Sequence, residues 1–482
     1  MREEALRIEN VTRAIDGVTY LDNINFTIYK GEIMGFIFLN AQGKEALIDL
    51  LAQNLPINVG RIYIANNLVN YYEHSNMSLN RVYVIDQDSR LIEDLTVADN
   101  ISVLNREYRD YFVNREKIHK TTQELLHSVG ITIEIGEYVS NLSLFEKCVI
   151  ELVKAVSVQT SLIILNELSS YLTVTELAKF HELVRHYTDL GFTFLYIVNH
   201  HEEAFKICDR VSLLEDGRVV KIFGFHEFLD ENVAPYIAAF DPKNSDRRIE
   251  KEQDGILTFE DVSSTTLDRI SFSIQKGECV AILDMNNTFI ADIMSLMRGE
   301  ESERDGQILL DGARFGVKRR KNYLEAGITF ISENPTRNML FENLSYMDNL
   351  TFLLDRKLKR SIIRSRIREN VGKEYGRIVG NEIAAEDLRN MDQKSLYNLI
   401  YYRIHLFNPK IVFCIQPFSN QDMYLRRHII GLINALKGKG ISVVILAYSI
   451  ADSLFVADRL LTIEDGKLKR EYAYADFSLF QR

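Results

Sequence analysis

Apolar positions in this chain fall into short unbroken runs. Ala5–Ile8, Ile24–Ile28 and Glu32–Phe38 come first, then a run near Val82–Ile85, then Leu162–Leu165 and Thr193–Ile197. Apolar runs of about four to six residues, separated by segments of helical period, predict strands of a buried, mostly parallel sheet. A helix is predicted after the loop at residues 40–44, and a polar, helix-rich insert over about 90–140. The same order returns later, with an insert over about 340–390 and apolar strands at Ile411–Cys414 and Ser442–Leu446. The fold class implied is α/β, in two copies.

The two copies also match residue by residue. KGEIMGFIF from Lys30 is echoed by KGECVAIL from Lys276, an offset of 246, and Gly60-Arg61-Ile62 by Gly306-Gln307-Ile308 at the same offset. LTVADNIS from Leu95 matches LSYMDNLT from Leu344 at an offset of 249, as Asp209-Arg210 matches Asp458-Arg459 and the EDG from Glu215 that from Glu464. An insertion of three residues between Glu333 and Leu344 accounts for the step. A chain of 482 residues is too long for one ordinary domain. The expected division is residues 1–240 and 256–482, joined by the charged run DPKNSDRRIEKEQDG at 241–255.

Composition narrows the class. Hydrophobic residues make up 46% and charged residues 26%, a soluble globular profile. A net charge of −11 weighs against a nucleic-acid partner, which requires a basic face. Cys148, Cys208, Cys279 and Cys414 form no CxxC pair and read as buried apolar residues in a reducing compartment. The start, MREEALRIEN, has no apolar core of a signal peptide, and no apolar run reaches the ~18 residues of a membrane span. The expectation is a cytoplasmic protein able to dock on a membrane partner.

The chemistry lies in a few ordered stretches. Phe38, Leu39, Asn40, Ala41, Gln42, Gly43, Lys44 and Glu45 follow a strand and precede a helix, in the frame of the phosphate loop GxxxxGK[ST]. Only Gly43 and Lys44 satisfy it; Phe38 replaces the first glycine and Glu45 the hydroxyl. On its own the Gly-Lys pair reads equally well as a solvated lysine at a helix start. Gln87 follows the strand VYVI, NLSLFEK (Asn141–Lys147) precedes a helix, LIILNE (Leu162–Glu167) is an apolar strand ending in two polar residues, and LYIVNHH ends another strand.

This order and spacing resemble the ATP-binding-cassette proteins, most of all the tandem ATP-binding subunits of ribose-, galactoside- and xylose-type sugar importers. The resemblance covers roughly residues 5–235 and 256–475. It implies two phosphate-loop NTPase cassettes in tandem, each with a mixed β core and a helical subdomain. It also implies two composite nucleotide sites, each pairing one half's loop with the other half's signature sequence.

Set against that family, the site residues depart almost everywhere. The resemblance gives Gln87 a metal- and phosphate-sensing role and makes Glu167 the general base. Asn166 stands where a metal-holding aspartate belongs. Asn199 stands where the switch histidine belongs, with His200 one residue late. The signature keeps Leu142 and Ser143, but Leu144 and Phe145 replace its glycines. Glu45 facing a phosphate ~4 Å away, at an effective dielectric of ~20, would be repelled by about 4 kcal/mol. The second half is further gone: its loop reads Asp284-Met285-Asn286-Asn287-Thr288-Phe289-Ile290-Ala291, with Ile290 for the lysine and Asp284 as a like charge. Glu333 stands at the glutamine position, Met391-Asp392-Gln393 at the signature, Ile415-Gln416 at the strand end and Ser449 near the histidine position.

The expectation is that ATP and Mg²⁺ bind at most at the N-terminal site and not at the C-terminal one. The resemblance implies a transmembrane permease as partner, a substrate-binding protein reached indirectly, or a second copy of the chain. It places the protein on the inner face of the membrane. It also makes the insert Arg106–Gly130 part of a permease-docking subdomain. Two readings follow: a pseudo-ATPase subunit of a carbohydrate-type importer, or an active ATPase that energises sugar import. A soluble relative acting on ribosomes or DNA fits less well, given the short linker, the negative charge and the missing zinc cysteines.

Overall fold

The computed structural model describes residues 2–53, 55–71, 74–75, 82–102, 120, 122–124, 126–127, 133–237, 255–284, 289–358, 365–419, 421–448 and 452–479. The chain divides into two compact units, residues 1–240 with 420–423, and residues 241–419 with 424–482. Most of the run 241–255, and most of the insert Arg106–Gly130, lie outside the described residues.

The first half builds two sheets. One contains β1 (Glu4–Ile15), β2 (Val18–Tyr29), β4 (Val59–Ile64), β5 (Asn67–Tyr71) and β6 (His74–Ser75), in the order β2-β1-β4-β5-β6. The other contains β3 (Ile33–Phe38), β7 (Val82–Ile85), β8 (Leu162–Asn166), β9 (Phe194–Val198), β10 (Arg210–Glu215) and β11 (Arg218–Gly224), in the order β11-β10-β3-β9-β8-β7. Within it only β10 and β11 pair antiparallel. The parallel sheet expected from the apolar runs is therefore the second one. The first is wholly antiparallel, and its strands are longer than the runs suggested. In β2 the buried Ile24, Phe26 and Ile28 alternate with Asn25 and Thr27. That alternation marks a sheet with only one buried face.

β3 is buried along its whole length because it has a core on each side. Ile33 and Ile37 pack with the helices Leu144–Ser157 and Val174–Asp189. Met34, Phe36 and Phe38 pack with the antiparallel sheet and the helix Lys44–Gln53. This two-sided core places the residues after β3 at the carboxyl end of the parallel sheet, where open α/β folds bind ligands.

The second half repeats the plan. Strands β12 (Leu257–Ser263), β13 (Ile270–Ile274), β15 (Asp305–Leu310) and β16 (Ala313–Arg314) make the antiparallel sheet. Strands β14 (Cys279–Asp284), β17 (Ile328–Ile331), β18 (Ile411–Ile415), β19 (Ser442–Ala447), β20 (Arg459–Glu464) and β21 (Lys467–Ala473) make the other, in the order β17-β18-β19-β14-β20-β21. This second sheet repeats its first-half counterpart element for element, while the antiparallel sheet has no counterpart of β6 among the described residues.

The sequence matches between halves are the bonds of this scaffold. Glu32 pairs with Arg210 at 3.2 Å, and Glu278 with Arg459 at 2.7 Å. The Asp209 carboxylate accepts the Ile33 N–H, and the Asp458 carboxylate the Cys279 N–H, each at 2.8 Å. The EDG triplets turn the last hairpin of each half, with Asp216-Gly217 and Asp465-Gly466 at positive φ. A side chain on Gly217 would meet the Tyr20 carbonyl at 2.1 Å, and one on Gly466 the Thr266 carbonyl at 2.0 Å. The asparagines of the DNIS and DNLT matches do the same work twice. Asn100 donates to the carbonyls of Ile92, Leu95 and Thr96 and accepts from the Ile92 N–H. Asn349 donates to those of Phe341, Leu344 and Ser345 and accepts from the Phe341 N–H.

Candidate nucleotide site

The loop after β3 opens at the start of the helix Lys44–Gln53. Phe38 and Leu39 are buried in the core and wrap nothing. Asn40 is tied to the EDG hairpin, donating to the Asp216 carboxylate at 2.7 Å and accepting the Asp216 N–H at 3.2 Å. Ala41 is exposed, and Gln42 donates to the Thr19 carbonyl at 2.9 Å. Gly43 has φ of 88°, and a side chain there would come within 2.7 Å of the Tyr20 carbonyl. Only glycine satisfies both constraints. Gly43 is thus retained for backbone shape, whatever the loop binds.

Lys44 and Glu167 meet. The Lys44 ammonium lies 2.9 Å from the Glu167 carboxylate, with side chains 17% and 8% exposed, and 3.5 Å from that of Glu45. Burial alone would lower the lysine's pKa, but the charges and hydrogen bonds of Glu167 and Glu45 outweigh it and hold the pKa above its ordinary value. The loop lysine is held charged by two carboxylates of its own chain. Glu45 itself is 71% exposed. In solvent its repulsion of a phosphate falls from the about 4 kcal/mol expected to about 1 kcal/mol, because screening there approaches that of bulk water. The stronger obstacle is Glu167.

Glu167 is also conformationally special. It follows β8 with φ 50° and ψ 42°, in the left-handed region, while its N–H is bonded to the Ile197 carbonyl at 2.9 Å. A non-glycine residue there carries strain. Gln416 repeats the conformation in the second half, with φ 48° and its N–H on the Leu446 carbonyl. Beside Glu167, the buried Oδ1 of Asn166 has no hydrogen-bond partner. Gln87 is exposed just beyond β7. Asn199 is buried after β9, whereas His200 is half-buried as the residue preceding the helix His201–Ile207.

The signature stretch is folded into a cap. Ser143 starts the helix Leu144–Ser157 in a capping box with Glu146. Its hydroxyl donates to the Glu146 carboxylate at 2.8 Å and accepts the Glu146 N–H at 3.2 Å. In the second half Asp392 caps the helix Gln393–Phe407, accepting the Ser395 N–H at 2.9 Å. Sequence reasoning missed Tyr448, which directly follows β19 as Asn199 follows β9. Ser449, the residue singled out for that place, lies outside the described residues, as do residues 285–288 of the second loop.

Glu151 was also missed. It sits inside the apolar helical stretch CVIELVKAV, 1% exposed, and accepts the Arg90 N–H at 2.6 Å and the Ser89 hydroxyl at 3.2 Å. Burial raises its pKa to about 7, against the opposing effect of those two hydrogen bonds. A lone acid on the buried face of a helix was the available signal.

Comparison with known proteins agrees with this geometry. A family model described as ABC transporter matches residues 21–170. The chain is 22% identical to the ribose import ATP-binding protein of Clostridium tetani, over 97% of this chain and 94% of that one. It is 22% identical to the xylose import ATP-binding protein of Geobacillus kaustophilus, over 98% and 96%. Among solved structures, the archaeal ribosome recycling factor crystallised with the stalk protein aP1 superposes with a TM-score of 0.64 at 16% identity, over 98% of this chain and 92% of that one. Both halves carry the ATP-binding-cassette fold. The chain as a whole resembles tandem sugar-import ATP-binding proteins.

Each cassette retains the frame that presents a phosphate loop at the end of a parallel sheet, and each has altered the side chains presented there. The N-terminal cassette keeps a usable cation, already paired. For a nucleotide its residues fit in part: the Gly43 backbone and Lys44 would take phosphate oxygens once Lys44 leaves Glu167. At the metal positions stand the neutral amides of Asn166 and Gln87, the Asn166 Oδ1 buried and without a partner.

Proposed function

We propose that this chain is the ATP-binding-cassette subunit of a carbohydrate-type importer in which hydrolysis has been lost and nucleotide binding is confined to the N-terminal loop. The observation that carries this reading is the buried Lys44–Glu167 pair. The lysine that would neutralise a γ-phosphate and the carboxylate that would activate water satisfy each other. Asn166, neutral where the family has an aspartate, would hold a metal ion more weakly than a carboxylate. Such a subunit acts as a scaffold or regulator on the cytoplasmic face of a membrane permease. None of the described helices is long and apolar enough to cross the membrane itself. Its family would then supply a substrate-binding protein and a second copy, or an active paralogue, as further partners.

The test is calorimetry with Mg-ATP together with phosphate release, on the wild type, Lys44→Ala and Glu167→Gln. The expected result is weak binding that depends on Lys44, and phosphate release no greater than that of Glu167→Gln. Turnover by the wild type that both substitutions abolish would establish the other reading, an active importer ATPase.

A further inference from the structure

The two loops differ in what meets the start of their helix. In the N-terminal cassette the last residue of β3 is Phe38, packed against Phe36 in the core and without a hydrogen-bond acceptor in its side chain. At the same place in the repeat stands Asp284, the last residue of β14 and fully buried. Its Oδ2 accepts the Phe289 N–H at 2.9 Å and the Ile290 N–H at 3.2 Å, at the start of the helix Ile290–Arg298. Successive N–H groups at a helix start, converging on one oxygen, are the donors a phosphate loop offers its ligand. The helix dipole favours negative charge there, and donors of this kind bond most strongly to an ionised oxygen.

We infer that Asp284 is the resident anion of the C-terminal cassette: an internal carboxylate seated where the start of the loop helix would otherwise receive a phosphate. This deepens the pseudo-ATPase reading, and it rests on that reading's assignment of the loop. The C-terminal cassette has not simply lost its binding residues. The start of its helix is already bonded to a carboxylate of the same chain. Tyr448 and Glu333 border the same place. Burial, with the charges of Asp284 and Glu333, pushes the Tyr448 hydroxyl up to about 12, so Tyr448 stays neutral beside the carboxylates.

Hydrogen-exchange mass spectrometry on the full chain tests this at the peptide containing Phe289 and Ile290. In chloride buffer, Asp284→Ala is expected to exchange roughly tenfold faster there than the wild type. Formate on the order of 100 mM restores a carboxylate of the right size and should slow the variant while leaving the wild type unchanged. Asp284→Asn keeps one acceptor oxygen without the charge and should fall between the two. It carries the comparison if the alanine variant does not fold. Exchange at the wild-type rate in both variants would overturn the inference, as would formate acting no better than chloride at equal ionic strength. Lys44-dependent turnover by the wild type would defeat the functional reading and leave this result standing; unaccelerated exchange would do the reverse.

Discussion

The two cassettes agree bond for bond in their scaffold and disagree in nearly every side chain at the site. Glu32–Arg210 and Glu278–Arg459 are the same ion pair, Asn100 and Asn349 the same loop clamp, and the two EDG hairpins the same turn. Lys44 has become Ile290, Phe38 has become Asp284, and Glu167 has become Gln416. Shape and chemistry thus vary independently between the two halves of one chain. The N-terminal cassette is paired and could be unpaired; the C-terminal one is internally capped.

The sharpest way to break this comparison is through the scaffold. Glu32→Ala should cost about 3 kcal/mol, because it leaves the largely buried Arg210 without a carboxylate, whereas Glu278→Ala should cost less, because Arg459 keeps Glu471 at 2.6 Å. Urea melts check this; equal losses would show that Glu471 does not stand in for Glu278. Next in size is Glu151, whose counterpart in the repeat is the apolar, buried Ile400. Its folded pKa of about 7 exceeds the unfolded value, so its contribution is full below about pH 4.5 and is lost as pH rises through 7. Glu151→Gln should therefore gain on the order of 2 kcal/mol relative to the wild type between pH 5 and 8. Melting curves across that range check it, and a parallel pH profile in the variant would refute it.

Smaller effects concern nucleotide. Glu167→Gln frees Lys44 and should tighten ATP binding about tenfold in calorimetry. Adding Ile290→Lys should leave the stoichiometry at one, because Asp284 still fills the second loop; two sites would erase the distinction between the cassettes. Glu45→Ser should tighten binding by about fivefold at most, since the carboxylate it removes is already in solvent. A larger gain would restore Glu45 as the main obstacle.

Much of this molecule was legible in its sequence, for definite reasons. The apolar runs of β3, β8 and β9 marked the parallel sheet because strands buried on both faces carry no polar positions. The KGE, DR and EDG repeats were visible because the bonds they form need those side chains. The antiparallel sheet is less legible: the alternation of Ile24, Phe26 and Ile28 with polar residues reads as one short apolar run. From sequence alone Asp284 reads as a charge that repels phosphate. Its two bonds to the Phe289 and Ile290 N–H groups depend on how the chain turns after β14, which no local pattern encodes. Ser143 and Glu146 formed a legible capping box, three residues apart, but were read only as a broken signature.

The left-handed strand ends at Glu167 and Gln416 have a historical consequence. Both halves keep this conformation although the side chains they present differ, so on the proposed reading the backbone outlives the chemistry it served. In the N-terminal cassette a return to activity is a matter of a few side-chain replacements, each tolerable alone. In the C-terminal cassette it is not, because Asp284 now helps hold the helix it caps. Removing it first would loosen the fold, and restoring a lysine first would gain no ligand. On the proposed reading, that ordering makes the second loss a ratchet.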